Sequence, residues 1–489
     1  MELHDAIHHD SRGGVIDCGI LYTIKAKLQT SVDGAALGAA RSLNRSQDIA
    51  SQQTDATNTA VRYYHANFPG NWMGVTPVND PTVTWPTAPT GTAIINVQGD
   101  IDAPTWFMRI LGFNSVHLTA VGQSTRRNVN IMLVLDRSGS LSAAIGTNSC
   151  GAVISAAQTF VNSFSNNRDQ IGMVSFGTYY HEDFPPTQDF LDSAHSGANS
   201  LSSVVLPRLV CTGYTNAAAA FSYAYSILKG LNDHNALNVI LFFTDGQPNT
   251  VTFGPKFGAG SGPVLVRKAG STCVLAGGFT GLSGVLAGDV GYSSKSGVLR
   301  AGLLSTGAWD RPGTGTSAYP APDDNSEYGS ANSIIGSLEG RSSGCAFVSN
   351  TSNFSSDVNA IPTSDAWGNS TTTTWTGGTE TGFPASVNTA NVGTLQDLQN
   401  AGINALDNAA QNARADAVTN SMPYLVYTIG LGNAPGGVND ELLKRIANDV
   451  TSGVHQSAYS DGKYMFSPNT AQLTAAFAAI ASDILRISK

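Results

Sequence analysis

The chain has 489 residues, 12% of them charged, with 52 glycines and a net charge of -9. That length exceeds what one hydrophobic core organises, so two or three folded units are expected. In a mildly acidic chain whose Lys and Arg gather into no patch beyond short pairs such as Arg126-Arg127, nothing favours nucleic acid, and no nucleic-acid partner is expected. Low charge with abundant Gly, Ser, Thr and Asn accords with a secreted or cell-surface protein. Cysteines at 18, 150, 211, 273 and 345 show no C-x-x-C spacing, which argues against a structural zinc site. Four of them can pair as two bridges in an oxidising compartment, and five unpaired thiols are the alternative.

In chain order, residues 1 to 12 are polar and His-rich and are expected to be unstructured. Residues Gly13 to Ile24 are the most membrane-like stretch, yet a dozen residues that include Asp17 are too short for a bilayer, which takes about 20. No long apolar core follows a basic start, so this is not a signal peptide. A helix continues from Lys25 through Leu43, and residues 46 to 70 read as a polar helix. From Val75 to Thr125 the pattern turns to short strands broken by Pro77, Pro81, Pro86 and Pro89, clearest at Ile94–Asp100 and Ser115–Val121. Pro104–Gly112 between them predicts a short helix, and the aromatic residues of this region are expected in its core.

Two features of this region carry a resemblance. The stretch GVIDCGILYTIKAKLQTSVDGAALGAARSL resembles the segment that ends the N-terminal membrane helix of TadG-like proteins of the Tad (Flp) pilus-assembly system. The order strand, helix ending in Leu111-Gly112, strand is similar to their pilin-like α+β region. The resemblance implies an apolar half-anchor before Val15, which this sequence does not contain; an in-frame upstream segment is expected, with loss of the anchor as the alternative.

The main domain opens at Asn128. Val129 to Leu135 is a run of mostly β-branched and aliphatic residues that ends at Asp136, with Ser138 and Ser140 next and a helical pattern through Phe164, which reads as a buried parallel strand, a loop and a helix. In open α/β sheets ligands sit beyond the carboxyl ends of the strands, where this loop points one carboxylate and two hydroxyls. Such hard oxygens suit magnesium, manganese or calcium. Asp169–Gly177 is a second strand, Tyr179–Phe184 an edge strand, and a helix is expected near residue 200. Cys211–Asn216 leads into an Ala-rich helix, Ala217–Leu228, and the apolar strand from Asn238 again ends at an aspartate, Asp245. Two buried strands that release the chain at aspartates are not explained by packing alone.

Asp136, Ser138 and Ser140, then Thr215 before Asn216, then Thr244-Asp245-Gly246 resemble the von Willebrand factor A family and its metal-ion-dependent adhesion site. The resemblance extends through Pro423–Gly432, Leu442–Ala447, Tyr464–Phe466 and a closing helix from Thr470 to Ile487. It implies a Rossmann-like, doubly wound, mostly parallel sheet flanked by helices. It also implies one Mg²⁺ or Mn²⁺, with Ca²⁺ as an alternative, held by Asp136, Ser138, Ser140, Thr215 and Asp245. The remaining ligand would be a carboxylate from another protein. A haloacid-dehalogenase-type phosphatase would need a second aspartate at position 138, where this chain has Ser138, so an enzyme is not expected. The expected role is metal-dependent protein binding in the bacterial envelope, in Tad/Flp pilus assembly or surface attachment, anchored in the inner membrane and facing the periplasm or exterior. The alternative is a soluble partner of an AAA-type ATPase.

Residues 251–393, rich in Gly, Ser and Thr, interrupt this domain, and more than a hundred residues are too many for a structureless loop. The expected partition is 1–45, an N-terminal helix left from a membrane anchor; 46–127, the pilin-like module; 128–250 and 394–489, the two parts of the main domain; and 251–393, the insertion. Cys150 follows the Asp136 loop and Cys211 precedes Thr215, so convergence of both loops on one metal predicts a Cys150–Cys211 bridge. Cys273–Cys345 is expected within the insertion.

Overall fold

A computed structural model describes residues 2–43, 48–76, 78–89, 91–141, 149–177, 180–191, 200–211, 213–253, 363–373, 395–432 and 437–488, with residue 387 and the backbone of short strands between 268 and 305. The chain divides into two compact units: residues 1–128, 164–168 and 484–489, and residues 129–163 and 169–483.

In the first unit, helix α1 (Glu2–Ser42) carries small and aliphatic residues at three- and four-residue steps. Ile24, Leu28, Val32, Ala35, Ala36, Ala39 and Ala40 are all buried. Helix α2 (Ile49–Asn67) starts at Asp48, whose carboxylate accepts the Ser51 N–H at 2.8 Å and caps the first turn. Three antiparallel strands complete the unit: β1 (Thr82–Thr84), β2 (Thr92–Pro104) and β3 (Ser115–Arg127). Along β2 the alternation puts Ala93, Ile95, Val97, Ile101 and Ala103 into the same core as the two helices. Gly122 lets α1 approach the sheet closely, since a Cβ there would lie 2.7 Å from the Val32 backbone.

Three expectations for this region are corrected. Of the start expected to be unstructured, residues 2–12 are helical, because α1 begins at Glu2; nothing in 2–12 is Gly or Pro, so no residue breaks the helix there. Strands β2 and β3 are 13 residues each, paired from Thr92–Arg127 to Pro104–Ser115. Trp106, Phe107 and Phe113 are not core residues but 53%, 45% and 57% exposed. They sit on the connection beyond the last strand pair, where the alternation that sends every second residue inward no longer acts. Among the described residues, no helix is long and apolar enough to cross a membrane.

The second unit is the expected mixed α/β fold. A six-stranded sheet contains β4 (Val129–Asp136), β5 (Gln170–Phe176), β6 (Tyr180–Thr187) and β7 (Leu237–Thr244), followed by Tyr424–Leu431 and Lys463–Ser467. From one edge the order is Lys463–Ser467, Tyr424–Leu431, β7, β4, β5, β6, and only β6 runs antiparallel. Every residue of β4, β7 and Tyr424–Leu431 is buried, as helices on both faces require. One face packs Met132, Val134, Phe176 and Phe242 against helices Ala217–Leu231 and Leu395–Thr419, with Phe176 stacked on Phe242 at 5.5 Å. On the other, Phe243 and Phe160 of helix α3 (Ser149–Val161) both meet Phe477 of the closing helix, at 5.9 and 6.1 Å. Near residue 200 the helix is one π turn, Leu201–Val205, then a 3-10 turn, Leu206–Arg208, where Pro207 removes a backbone donor.

From β4 the chain passes through α3 to β5 on one side, and the helix Ala217–Leu231 then carries it back to β7 on the other. The switch point therefore lies between the carboxyl ends of β4 and β7. Beyond β7, Thr250–Phe253 pairs antiparallel with Leu282–Ala287, which pairs with Arg300–Ser305. Residues 363–373 return to the domain through amide contacts. Ala366 N–H donates to the Thr252 carbonyl at 2.8 Å, Asn369 Nδ2 to Ser222 Oγ at 3.0 Å, and Asn404 Nδ2 to the Thr371 carbonyl at 3.0 Å.

Cys150 and Cys211 are bridged as expected, with Cα atoms 5.9 Å apart across 61 residues. Cys18 is an exposed free thiol. The expected Cys273–Cys345 bridge lies outside the described residues.

Candidate metal centre

Parallel pairing of β4 with β7 sets Leu135 beside Phe243, so Asp136 and Asp245 leave adjacent strands one residue apart in register. Both are buried, at 0% and 3% exposure, along with Ser138 and Thr215. Asp136 Oδ2 accepts the Thr244 hydroxyl at 2.5 Å and its Oδ1 accepts the Ser138 N–H at 2.7 Å, which turns the loop back over the strand end. Ser138 Oγ lies 3.0 Å from Ser140 Oγ, and Ser140 Oγ donates to Asp245 Oδ1 at 2.6 Å. Four of the five expected ligands thus form one hydrogen-bonded chain from β4 to β7.

Thr215 is held beside this chain by its backbone. Its N–H donates to Asn249 Oδ1 at 2.8 Å and its carbonyl accepts the Asn249 N–H at 3.2 Å. Among the described residues its hydroxyl is bonded to none of the other four. The loops are tied again where Gly139 N–H donates to the Gly213 carbonyl at 2.8 Å and Asn216 N–H to the Gly177 carbonyl at 2.8 Å. A Cβ on Gly139 would meet that Gly213 oxygen at 3.2 Å, so the approach favours glycine.

Charge decides what such a site can do. Burial pushes the Asp136 carboxyl above its ordinary range, against hydrogen bonds from Ser138 and Thr244 that favour the anion. Asp245 is pushed up to about 7, by burial first and by the charge of Asp136 second. Two carboxylates buried side by side and repelling each other favour either a bound proton or a bound cation. The donors beside them are hydroxyl oxygens, which suit a hard divalent ion. Among the described residues no group of three or more His, Cys, Asp or Glu side chains is placed to hold a metal, so a cation here would rest on two carboxylates and neutral hydroxyls. On that chemistry the residues fit Mg²⁺ or Mn²⁺.

Two contributors were not legible as ligand positions. Thr244 precedes Asp245, and only the pairing of β4 with β7 reveals that its hydroxyl orients Asp136. Asn249 stands in the irregular segment Gln247-Pro248-Asn249 after β7, whose sequence does not show that it clamps Thr215.

Residues 131–247 match the family model described as von Willebrand factor type A domain, and the chain contains a domain of that class. Among solved structures it is similar to the vWF domain of the type V pili tip protein Mfa5 from Porphyromonas gingivalis, at 13% identity over 75% of this chain and 98% of that one, with a TM-score of 0.36. It is also similar to the PilB minor pilin from Streptococcus sanguinis, at 11% identity over 84% and 79% of the two chains, TM-score 0.38. The pilus adhesin SpaC from Lactobacillus rhamnosus GG matches at 13% identity over 83% of this chain and 34% of that one, TM-score 0.36. Comparison with curated proteins gives no match.

Proposed function

We propose that this protein binds another protein through a divalent cation, Mg²⁺ or Mn²⁺, held by Asp136, Ser138, Ser140, Thr215 and Asp245. The observation that carries the reading is the buried Asp136–Asp245 pair, linked through Ser138 and Ser140 and destabilised as two anions by burial and mutual repulsion. A cation there would supply the missing positive charge and a coordination position for a partner's carboxylate. The chain's own part is to hold oxygens: Thr244 orients Asp136, Ser140 orients Asp245, and Asn249 holds Thr215 at the start of the helix Ala217–Leu231. Ser138 stands where a phosphoryl-transfer enzyme of comparable layout needs a second aspartate, so the site is read as binding rather than catalytic.

The disulfide Cys150–Cys211 supports an oxidising compartment and therefore the bacterial envelope. Within it we assign the protein to pilus assembly of the Tad/Flp type or to surface attachment, with an N-terminal anchor, on the resemblance of residues 13–43. The test is capture from native envelope extracts on immobilised protein. A partner retained in Mg²⁺, released by EDTA and absent from Asp245→Ala is expected; a partner retained equally in EDTA would contradict the reading.

A further inference from the structure

The connection between β2 and β3 is apolar and faces outward. Trp106, Phe107, Ile110, Leu111 and Phe113 are 53%, 45%, 77%, 60% and 57% exposed. Val15 and Ile16, on the turn of α1 just before the residue that braces this connection, are 72% and 47% exposed. Single exposed apolar side chains are ordinary, whereas five within eight residues mark a surface that meets something.

The connection is also rigidly mounted. The buried carboxylate of Asp17 accepts the N–H groups of Trp106 at 2.9 Å, Phe107 at 2.9 Å and Met108 at 2.6 Å. Thr105 N–H donates to the Asn114 carbonyl at 3.2 Å and closes the base, and Gly112, at φ 94°, supplies the left-handed residue that reverses the chain. Burial raises the Asp17 carboxyl, but its three backbone donors outweigh that and hold it below the usual range. The brace is therefore an anion at neutral pH.

Residues 103–116 contain no acidic side chain and one cation, Arg109, in a chain of net charge -9. Arg109 is exposed and makes no ion pair among the described residues. We propose that this hairpin tip inserts into the interfacial layer of a lipid bilayer with anionic headgroups. Aromatic and aliphatic side chains would enter the acyl boundary while the Arg109 guanidinium stays at the phosphates. A protein partner would need a matching hollow and a paired polar rim. Asp17 already takes three of the tip's N–H groups, so apolar contact and one positive charge dominate what remains. Lipid satisfies both without a matching shape. This inference does not depend on the cation site or on an N-terminal anchor.

The test is flotation of the full chain with phosphatidylglycerol/phosphatidylethanolamine vesicles in EDTA, so that no cation bridges protein and lipid. Wild type is expected to float, and Ile110→Ser/Leu111→Ser to partition about tenfold less. Both side chains are exposed, so an unchanged melting temperature should show that the variant folds. Arg109→Glu should weaken flotation on these vesicles and leave the weaker flotation on phosphatidylcholine unchanged. Trp106→Phe should abolish the blue shift of tryptophan emission on vesicle addition while still floating. Wild type that stays unbound, or that floats no better than the double variant, would overturn the proposal. So would a wild-type dimer that the double variant converts to monomer without any vesicle binding by wild type, because a second copy would then cover the tip.

Discussion

Asn249 touches none of the proposed ligand oxygens and still governs one of them. It receives the Thr215 N–H and returns its own N–H to the Thr215 carbonyl, so the loop before the helix Ala217–Leu231 is fixed to the loop after β7. Asn249→Ala leaves the Thr215 N–H without its partner and is predicted to weaken Mn²⁺ binding about tenfold or more, as loss of a supporting shell commonly does. Calorimetric titration checks it; unchanged affinity would show that Thr215 is positioned otherwise or is not a ligand. At this scale Asp136, Ser138, Ser140 and Asp245 were legible in the sequence. Carboxylates at the end of apolar runs have no packing role, and hydroxyls at alternate positions of a loop can face one point. Thr244 and Asn249 were not, because their roles depend on which strands are neighbours, and a linear pattern does not contain that.

At the scale of elements, residues 363–373 bring a buried carboxylate into the domain. Asp365 Oδ1 accepts the N–H groups of Trp367 and Asn369 at 2.9 and 2.8 Å, and Oδ2 accepts Asn369 Nδ2 at 2.8 Å. Burial outweighs these bonds and pushes its pKa up from 3.8 to about 6. The folded state thus holds this proton more tightly than the unfolded state does. Its contribution is fully present below about pH 3.8 and is lost as pH rises through about 6, a loss of at most about 3 kcal/mol. Across this range the denaturant midpoint of wild type should fall with rising pH relative to that of Asp365→Asn, whose side chain does not titrate; equal pH dependence of the two would contradict the assignment. The Cys150–Cys211 bridge closes 61 residues and is predicted to contribute about 4 kcal/mol by restricting the unfolded chain. Comparing unfolding of wild type with Cys150→Ser/Cys211→Ser measures it, and unchanged stability would contradict it. Strands β4, β5 and β7 were legible because strands buried on both faces read as near-continuous apolar runs. The exposure of the tip at Trp106–Phe113 is not legible in the sequence, because apolar composition does not say which side of an element faces solvent. The start of α1 is not legible from polar composition, which is compatible with a helix wherever no Gly or Pro breaks it.

For the whole molecule, the sheet order places β4 and β7 side by side at the switch point, so residues 109 positions apart in sequence meet in one hydrogen-bonded chain. The fold class was legible from alternating apolar strands and helical segments. The role of residues 251–393 was not, since Gly, Ser and Thr carry little periodicity. The proposed cation would sit between the buried carboxylates of Asp136 and Asp245. Calorimetric titration of wild type and Asp136→Ala with Mn²⁺ decides whether it does. Wild type is expected to bind one Mn²⁺ and the variant none; equal binding by both proteins, or no binding by wild type, would refute the shared cation.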